Sequence, residues 1–244
     1  MSRSGSVEGD AAGMGQLPLG LALDDSALFS NFLVADDNAL AIASLKGVGL
    51  GDSSERFVYL WGEGSPGLTH LLQASCHEAT ACGRSAVYLP LAELVEHGPA
   101  IIEGLDELDL VCLDGLEVIA GLGAWEFALF SVFNRLKESG GALVAASRST
   151  PLNLPVALAD LKSRLQSGLT LQVHPLDDRQ KREALILRAR QRGMQMSDAV
   201  ADYIMLRSAR DLPALIDVLD RLDASTLQQQ RQLTVPLVKQ TLGW

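Results

Sequence analysis

An apolar run, Phe57-Val58-Tyr59-Leu60-Trp61, leads into Gly62-Glu63-Gly64-Ser65-Pro66-Gly67 and then into Leu68-Thr69-His70-Leu71-Leu72. Gly62 and Gly67 are spaced as in G-x-x-x-x-G-K-[ST], the phosphate-binding loop that joins the end of a strand to the start of a helix. Leu68 stands where that motif has lysine. Backbone N–H groups and a helix N-terminus can still cradle a phosphate, because those donors do not depend on side chains. The cation that reaches the terminal phosphates is missing. Nucleotide binding by Gly62 to His70 is therefore expected, and hydrolysis by this chain is not.

The pattern around the loop alternates. A helix is predicted over 69–82, a strand over 85–89, a helix over 91–103, a strand over 108–113, a helix over 124–139, and strands over 142–147 and 169–173. Short apolar strands alternating with amphipathic helices indicate a parallel sheet covered on both faces. Beyond Pro175 only helices are predicted, over 178–193, 197–208, 212–224 and 235–242. The fold class is thus an α/β P-loop domain over 25–175 followed by a small all-helical lid over 176–244, a division that 244 residues accommodate. Upstream, Phe29, Phe32 and Leu33 read as anchors before a helix that ends near Leu45, with a loop over 47–55. Residues 1–24 read as a flexible N-terminal segment. Its first fifteen residues are rich in Gly, Ser and Ala and resemble a tail or a vector-derived remnant, with Met14 a plausible internal start.

Charge excludes the simplest nucleic-acid reading: 20 Lys and Arg against 30 Asp and Glu give a formal net charge of −10, and no basic cluster offsets it. Sequence-specific nucleic-acid binding is not expected. Cys76, Cys82 and Cys112 are odd in number and fall inside apolar patterns, which predicts buried, reduced thiols. His70, His77, His97 and His174 form no ligand-spaced pair with them. No apolar stretch suits a membrane span and no cleavable leader is visible, so the expected location is the cytoplasm.

A second constellation is Leu110-Val111-Cys112-Leu113-Asp114, an apolar strand ending in an acid, the form of a Walker B motif. Asp114 would orient a magnesium ion carried by the nucleotide. The next residue is Gly115 and the next acid Glu117, so the carboxylate that usually polarises water is displaced. At the end of the fourth strand, Ser147-Arg148 lacks the acid or asparagine of active ATPases. Trp61 and Trp125 are expected in the core or at the domain seam. The charged run over 178–192 is expected to be a solvated helix face with i,i+4 pairs.

In their order along the chain, Q-L-P-L-G-L at Gln16, W-G-E-G-S-P-G-L-T-H-L-L-Q-A at Trp61, L-V-C-L-D-G-L-E at Leu110, L-K-S-R-L at Leu161 and A-R-D-L-P-A-L at Ala209 resemble the Hda family. These are DnaA-homologous regulatory inactivators of bacterial replication initiation, built on the AAA+ domain of the initiator without its DNA-binding domain. An end at Trp244 is expected to match that. The resemblance implies a negative regulator that acts with the DNA-loaded sliding clamp of DNA polymerase III and promotes hydrolysis of ATP held by DnaA. It implies a clamp-binding peptide in which Gln16 offers amide donors and acceptor while Leu17, Leu19 and Leu21 carry the apolar area. It implies an arginine finger at Arg164, acting in trans on the DnaA–ATP site. Arg210 would be the sensor-two arginine, outside a lid helix capped by Asp211. The implied ligand is ADP or another nucleoside diphosphate, with magnesium held through Asp114. A second copy of the chain is a further candidate partner. The alternative reading is an autonomous AAA+ ATPase or helicase-loader-like replication factor, which Leu68 and Gly115 disfavour.

Overall fold

The computed structural model describes residues 23–64, 66–209, 211–226 and 233–244. Five strands, β1 (Phe57–Trp61), β2 (Ala86–Pro90), β3 (Leu110–Asp114), β4 (Ala142–Ser147) and β5 (Leu169–Gln172), form one sheet in the order β2-β3-β4-β1-β5. Every pairing is parallel, with Val58 opposite Val144 and Leu169, and Val111 opposite Leu143.

A strand presents alternate side chains to opposite faces, and a doubly covered sheet must be apolar on both. Val58, Leu60, Leu110, Cys112, Val144 and Ala146 enter one core, shared with α1 (Ala39–Leu50) and α2 (Leu68–Ala81). Tyr59, Val111, Leu113, Leu143 and Ala145 enter the other. That second core lies under the short α3 (Leu91–Leu94), α4 (Gly123–Ser139) and α5 (Ala159–Ser167). Trp125 is buried there, as expected, while Trp61 is partly exposed at its rim.

The helical lid comprises α6 (Asp178–Gln191), α7 (Asp198–Arg207), α8 (Leu212–Thr226) and α9 (Val235–Leu242). It has a core of its own around Leu185, Val200, Ile204, Leu215, Leu219 and Val238. Capping explains the start of α6: the Asp177 side chain accepts the Gln180 N–H and the Gln180 side chain returns to the Asp177 N–H, at 2.7 and 2.9 Å. No helix among the described residues is long and apolar enough to cross a membrane.

Four expectations need correction. The helix predicted over 91–103 stops after α3, because Gly98 at φ +84° and Pro99 interrupt it, and 3₁₀ turns complete the segment. The loop placed at 47–55 begins later, since α1 runs through Gly47 and Gly49 to a left-handed Gly51 cap. Helix α5 was not expected as an element, although it carries Arg164. Cys76 and Cys112 are buried, but Cys82 is exposed.

Candidate nucleotide site

Strand β1 lies between β4 and β5, while the connection through α2 carries the chain to the far edge at β2. Successive connections thus leave the carboxyl ends of adjacent strands in opposite directions, the position where open parallel sheets bind ligands. The loop after β1 occupies it. Gly62 is required by close approach, for a Cβ there would meet Pro66 Cγ at 2.8 Å as well as the Val173 carbonyl. Gly67 is the N-cap of α2 at φ +92°, and a Cβ would meet Phe32 Cε2 at 2.8 Å. The first backbone N–H groups of α2 therefore face the loop.

The loop opens on a cleft of about 740 Å³, within the size range of small-molecule sites. Asp24, Ser26 and Ala27 form one wall, Asp114, Gly115, Glu117 and Val118 with Ser147 and Arg148 another, and Arg188 with Leu212, Pro213, Ile216, Asp217 and Asp220 of the lid the third. Gly62, Gly64, Pro66, Gly67, Leu68, Thr69, His70 and Asp114 all line it. Glu63 is exposed and does not. Ser65, Arg210 and the Gln16, Leu17, Leu19 and Leu21 peptide lie outside the described residues. At the lysine position Leu68 is 9% exposed and belongs to the same core as Leu71 and Leu72.

The two sequence motifs meet directly. Thr69 Oγ1 donates to Asp114 Oδ2 at 2.6 Å, and the Tyr88 hydroxyl donates to the same oxygen at 2.9 Å. Burial and then the adjacent Asp114 carboxylate push the Tyr88 hydroxyl well above its ordinary range, so it remains a donor. A threonine hydroxyl and a carboxylate so placed beside a phosphate loop form a donor set suited to a magnesium–nucleotide. Glu117, on the same cleft wall, is engaged by Arg148: its carboxylate lies 3.5 Å from Arg148 Nε and accepts the Arg148 backbone N–H at 3.4 Å. The acid that sequence spacing displaced from Asp114 thus faces Arg148 on the cleft wall.

One arrangement escaped sequence reasoning. Arg188 of α6 reaches across the cleft, donating from Nη2 to His70 Nδ1 at 2.9 Å and from Nη1 to the Ser26 carbonyl at 3.2 Å. The other ring nitrogen, Nε2, donates to the Leu28 carbonyl at 2.8 Å. Both contacts require the neutral imidazole with its proton on Nε2. Burial, followed by the Arg188 charge, pushes the His70 pKa down to about 4, which keeps the ring in that form. The 178–192 run is therefore only partly a solvated face: Arg179 and Glu183 make the expected i,i+4 pair, but Arg188 and Arg192 point inward. The signal was available, because Leu185, Arg188, Ala189 and Arg192 share one helical face.

With this geometry in place, comparison with known families is decisive. Residues 23–172 match the bacterial DnaA ATPase domain, and residues 178–242 match the Hda lid domain. The chain is an Hda-like member of the DnaA family. An uncharacterized protein of Haemophilus influenzae is 42% identical over 229 residues, covering 93% of this chain and 98% of that protein. Domain III of the Thermotoga maritima replication initiation protein DnaA superposes with a TM-score of 0.73 at 19% identity, over 91% of this chain and 98% of that one. AMPPCP-bound DnaA from Aquifex aeolicus superposes at 0.66 with 22% identity, over 86% and 69% of the respective chains. At those identities the solved structures establish the fold alone.

In this Hda-like chain Arg164 sits in the last turn of α5, half-buried, with its guanidinium 6.0 Å from the centre of the Phe133 ring. It is not among the residues lining the chain's own cleft.

Proposed function

We propose that this Hda-like protein is a negative regulator of chromosomal replication initiation, and that it stimulates ATP hydrolysis on DnaA through Arg164 in trans. The observation that carries the proposal is the separation of parts. A nucleotide cleft with leucine in place of the loop lysine, and with Glu117 tied to Arg148, is poorly equipped to hydrolyse its own ligand. Arg164 stands apart from that cleft on α5. A guanidinium that meets a neighbour's γ-phosphate stabilises charge developing in the transition state, and such fingers contribute about 10³- to 10⁵-fold in rate.

In this reading the cleft holds ADP or another nucleoside diphosphate, cradled by the Gly62 to His70 loop. Thr69 and Asp114 would hold the magnesium that the nucleotide brings, and Arg210 would contribute from the lid. The support is the loop's conformation, the donor set around Asp114, and a homologous DnaA that binds AMPPCP. Gln16, Leu17, Leu19 and Leu21 tether the protein to the loaded sliding clamp. The chain divides into an N-terminal segment over 1–24, an AAA+ domain over 25–175 and a lid over 176–244, and it works in the cytoplasm.

The test is reconstitution with DnaA–ATP and DNA-loaded clamp, following hydrolysis on DnaA. The wild-type protein is expected to stimulate it. Arg164→Ala is expected to remove the stimulation while clamp and nucleotide binding stay intact, with poor rescue by lysine, which lacks the planar fork. Full stimulation by Arg164→Ala refutes the mechanism.

A further inference from the structure

A phosphate loop without its lysine leaves open where positive charge for a nucleotide comes from. Among the described residues that line the cleft, the cationic side chains are Arg148 and Arg188. Arg148 is 82% exposed and faces Glu117 at 3.5 Å. Arg188 differs in kind. Its hydrogen bonds go to a backbone carbonyl and a neutral imidazole, and it takes part in no ion pair among the described residues. Asp24 and Asp220 act on it only through space. A guanidinium that has given up water for uncharged acceptors retains much of its affinity for an anion, since an anionic acceptor adds a charge–charge attraction and paired, fork-like bonds that a carbonyl and an imidazole do not supply. Its position supplies the rest of the argument. His70 follows Thr69 in the first turn of α2, so Arg188 is held against the helix end that the phosphate loop opens.

We propose that Arg188 is a phosphate-binding residue of this cleft. A nucleoside diphosphate draws its guanidinium away from His70 Nδ1 and the Ser26 carbonyl, and this lid cation takes the place of the lysine absent at position 68. The proposal rests on the nucleotide reading of the cleft and adds to it. The same guanidinium ties the lid to the segment around Ser26, so phosphate binding exchanges that tie for one between lid and ligand. Neutral His70 is suited to this role: an imidazole acceptor holds the guanidinium in place and releases it to a stronger, anionic one.

The experiment measures ADP and adenosine binding to the full chain by calorimetry for wild type, Arg188→Gln and Arg188→Lys. Glutamine is expected to weaken ADP about ten- to a hundredfold, the range for losing a hydrogen bond to a charged group, and to leave adenosine within about twofold. Lysine should recover part of the ADP affinity as a point charge. Wild-type ADP affinity in Arg188→Gln, or equal losses for ADP and adenosine, would overturn the proposal while leaving the nucleotide reading intact. Failure of the wild type to bind ADP removes both. A second readout needs no substitution: in ¹H–¹⁵N spectra of the wild type, His70 Nδ1 should lose its hydrogen-bonded acceptor shift with saturating ADP and keep it with adenosine. An Nδ1 resonance unmoved by ADP overturns the proposal.

Discussion

Restoring lysine by Leu68→Lys separates what the leucine does for the fold from what its chemistry denies the cleft. Leu68 is the first residue of α2, 9% exposed, and packed in the core beneath the loop while touching the cleft. Full burial of a leucine side chain is worth about 1.5–3 kcal/mol. A lysine stem can cover part of that surface while its ammonium turns into the cleft, and a cation at a helix N-terminus costs about 0.3–1 kcal/mol more. The ligand-free protein should therefore lose about 2 kcal/mol, a fall in Tm of about 4–8 °C for a chain of this size. With ADP the order reverses. A charge-assisted bond to phosphate is worth about 1.5–3 kcal/mol, so affinity should rise about ten- to a hundredfold. ATP turnover should stay at the level of a protein-free control in both wild type and variant, because Gly115 follows Asp114 and Glu117 is turned to Arg148. Thermal denaturation with and without ADP, calorimetry and a phosphate-release assay read these quantities. Unchanged Tm together with unchanged ADP affinity would show that position 68 is not where the loop lysine acts, and steady turnover by the wild type would refute the account of a degraded site.

Glu126 is 1% exposed and accepts N–H groups of Gly121, Ala157 and Leu158 at 2.6 to 3.1 Å; Glu126→Ala should cost about 3 kcal/mol in urea unfolding, because each lost bond to a charged acceptor is worth about 1.5–3 kcal/mol and water reaches part of the freed backbone. Burial raises the Glu126 pKa, but the Ala157, Gly121 and Leu158 N–H groups outweigh that and hold it below the ordinary value, so its contribution is present above the unfolded pKa and is lost as pH falls through the lower folded one. His70, with a folded pKa of about 4 against an unfolded 6.5, binds fewer protons when folded. Stability should therefore fall between pH 6.5 and 4 by up to about 3 kcal/mol, and a His70→Gln variant that shows the same slope in a Tm-against-pH series would refute this source. Replacing Gln16 and Leu19 together by alanine should abolish clamp binding in a pull-down with no change in Tm; retained binding eliminates that peptide as the tether, and a large fall in Tm places it in the folded core.

What could be read before the structure follows from how strongly each segment's pattern departs from its surroundings. The apolar runs at Phe57, Leu110 and Ala142 announced buried parallel strands, and the Asp114 terminus and the spaced glycines come together on one cleft. Helix α5 escaped because Leu161 and Leu165 are its only buried residues, too few to establish a period. The segment after β2 misled because its apolar residues suit a helix, whereas Gly98 and Pro99 interrupt it by conformation rather than composition. Arg188 was hidden by its neighbours' charge. In a run with eight charged residues, an inward-facing arginine is distinguished by helical phase relative to Leu185 and Ala189, and its partner is a histidine 118 positions away. Long-range pairing of that kind leaves no mark on local pattern.

The anchoring of Asp24 has a mechanical consequence. Its N–H donates to the Gln73 side chain at 2.8 Å and its carbonyl accepts from His77 Nε2 at 3.0 Å, both from α2. Three Cα-to-Cα steps separate it from Leu21, and such a stretch of chain spans at most about 11 Å. In the clamp-bound state proposed above, a clamp gripping Leu21 would be on a short leash rather than a free line, close beside α2. Such a leash limits the orientations in which the AAA+ domain can be presented, so the tether would aim the protein as well as hold it.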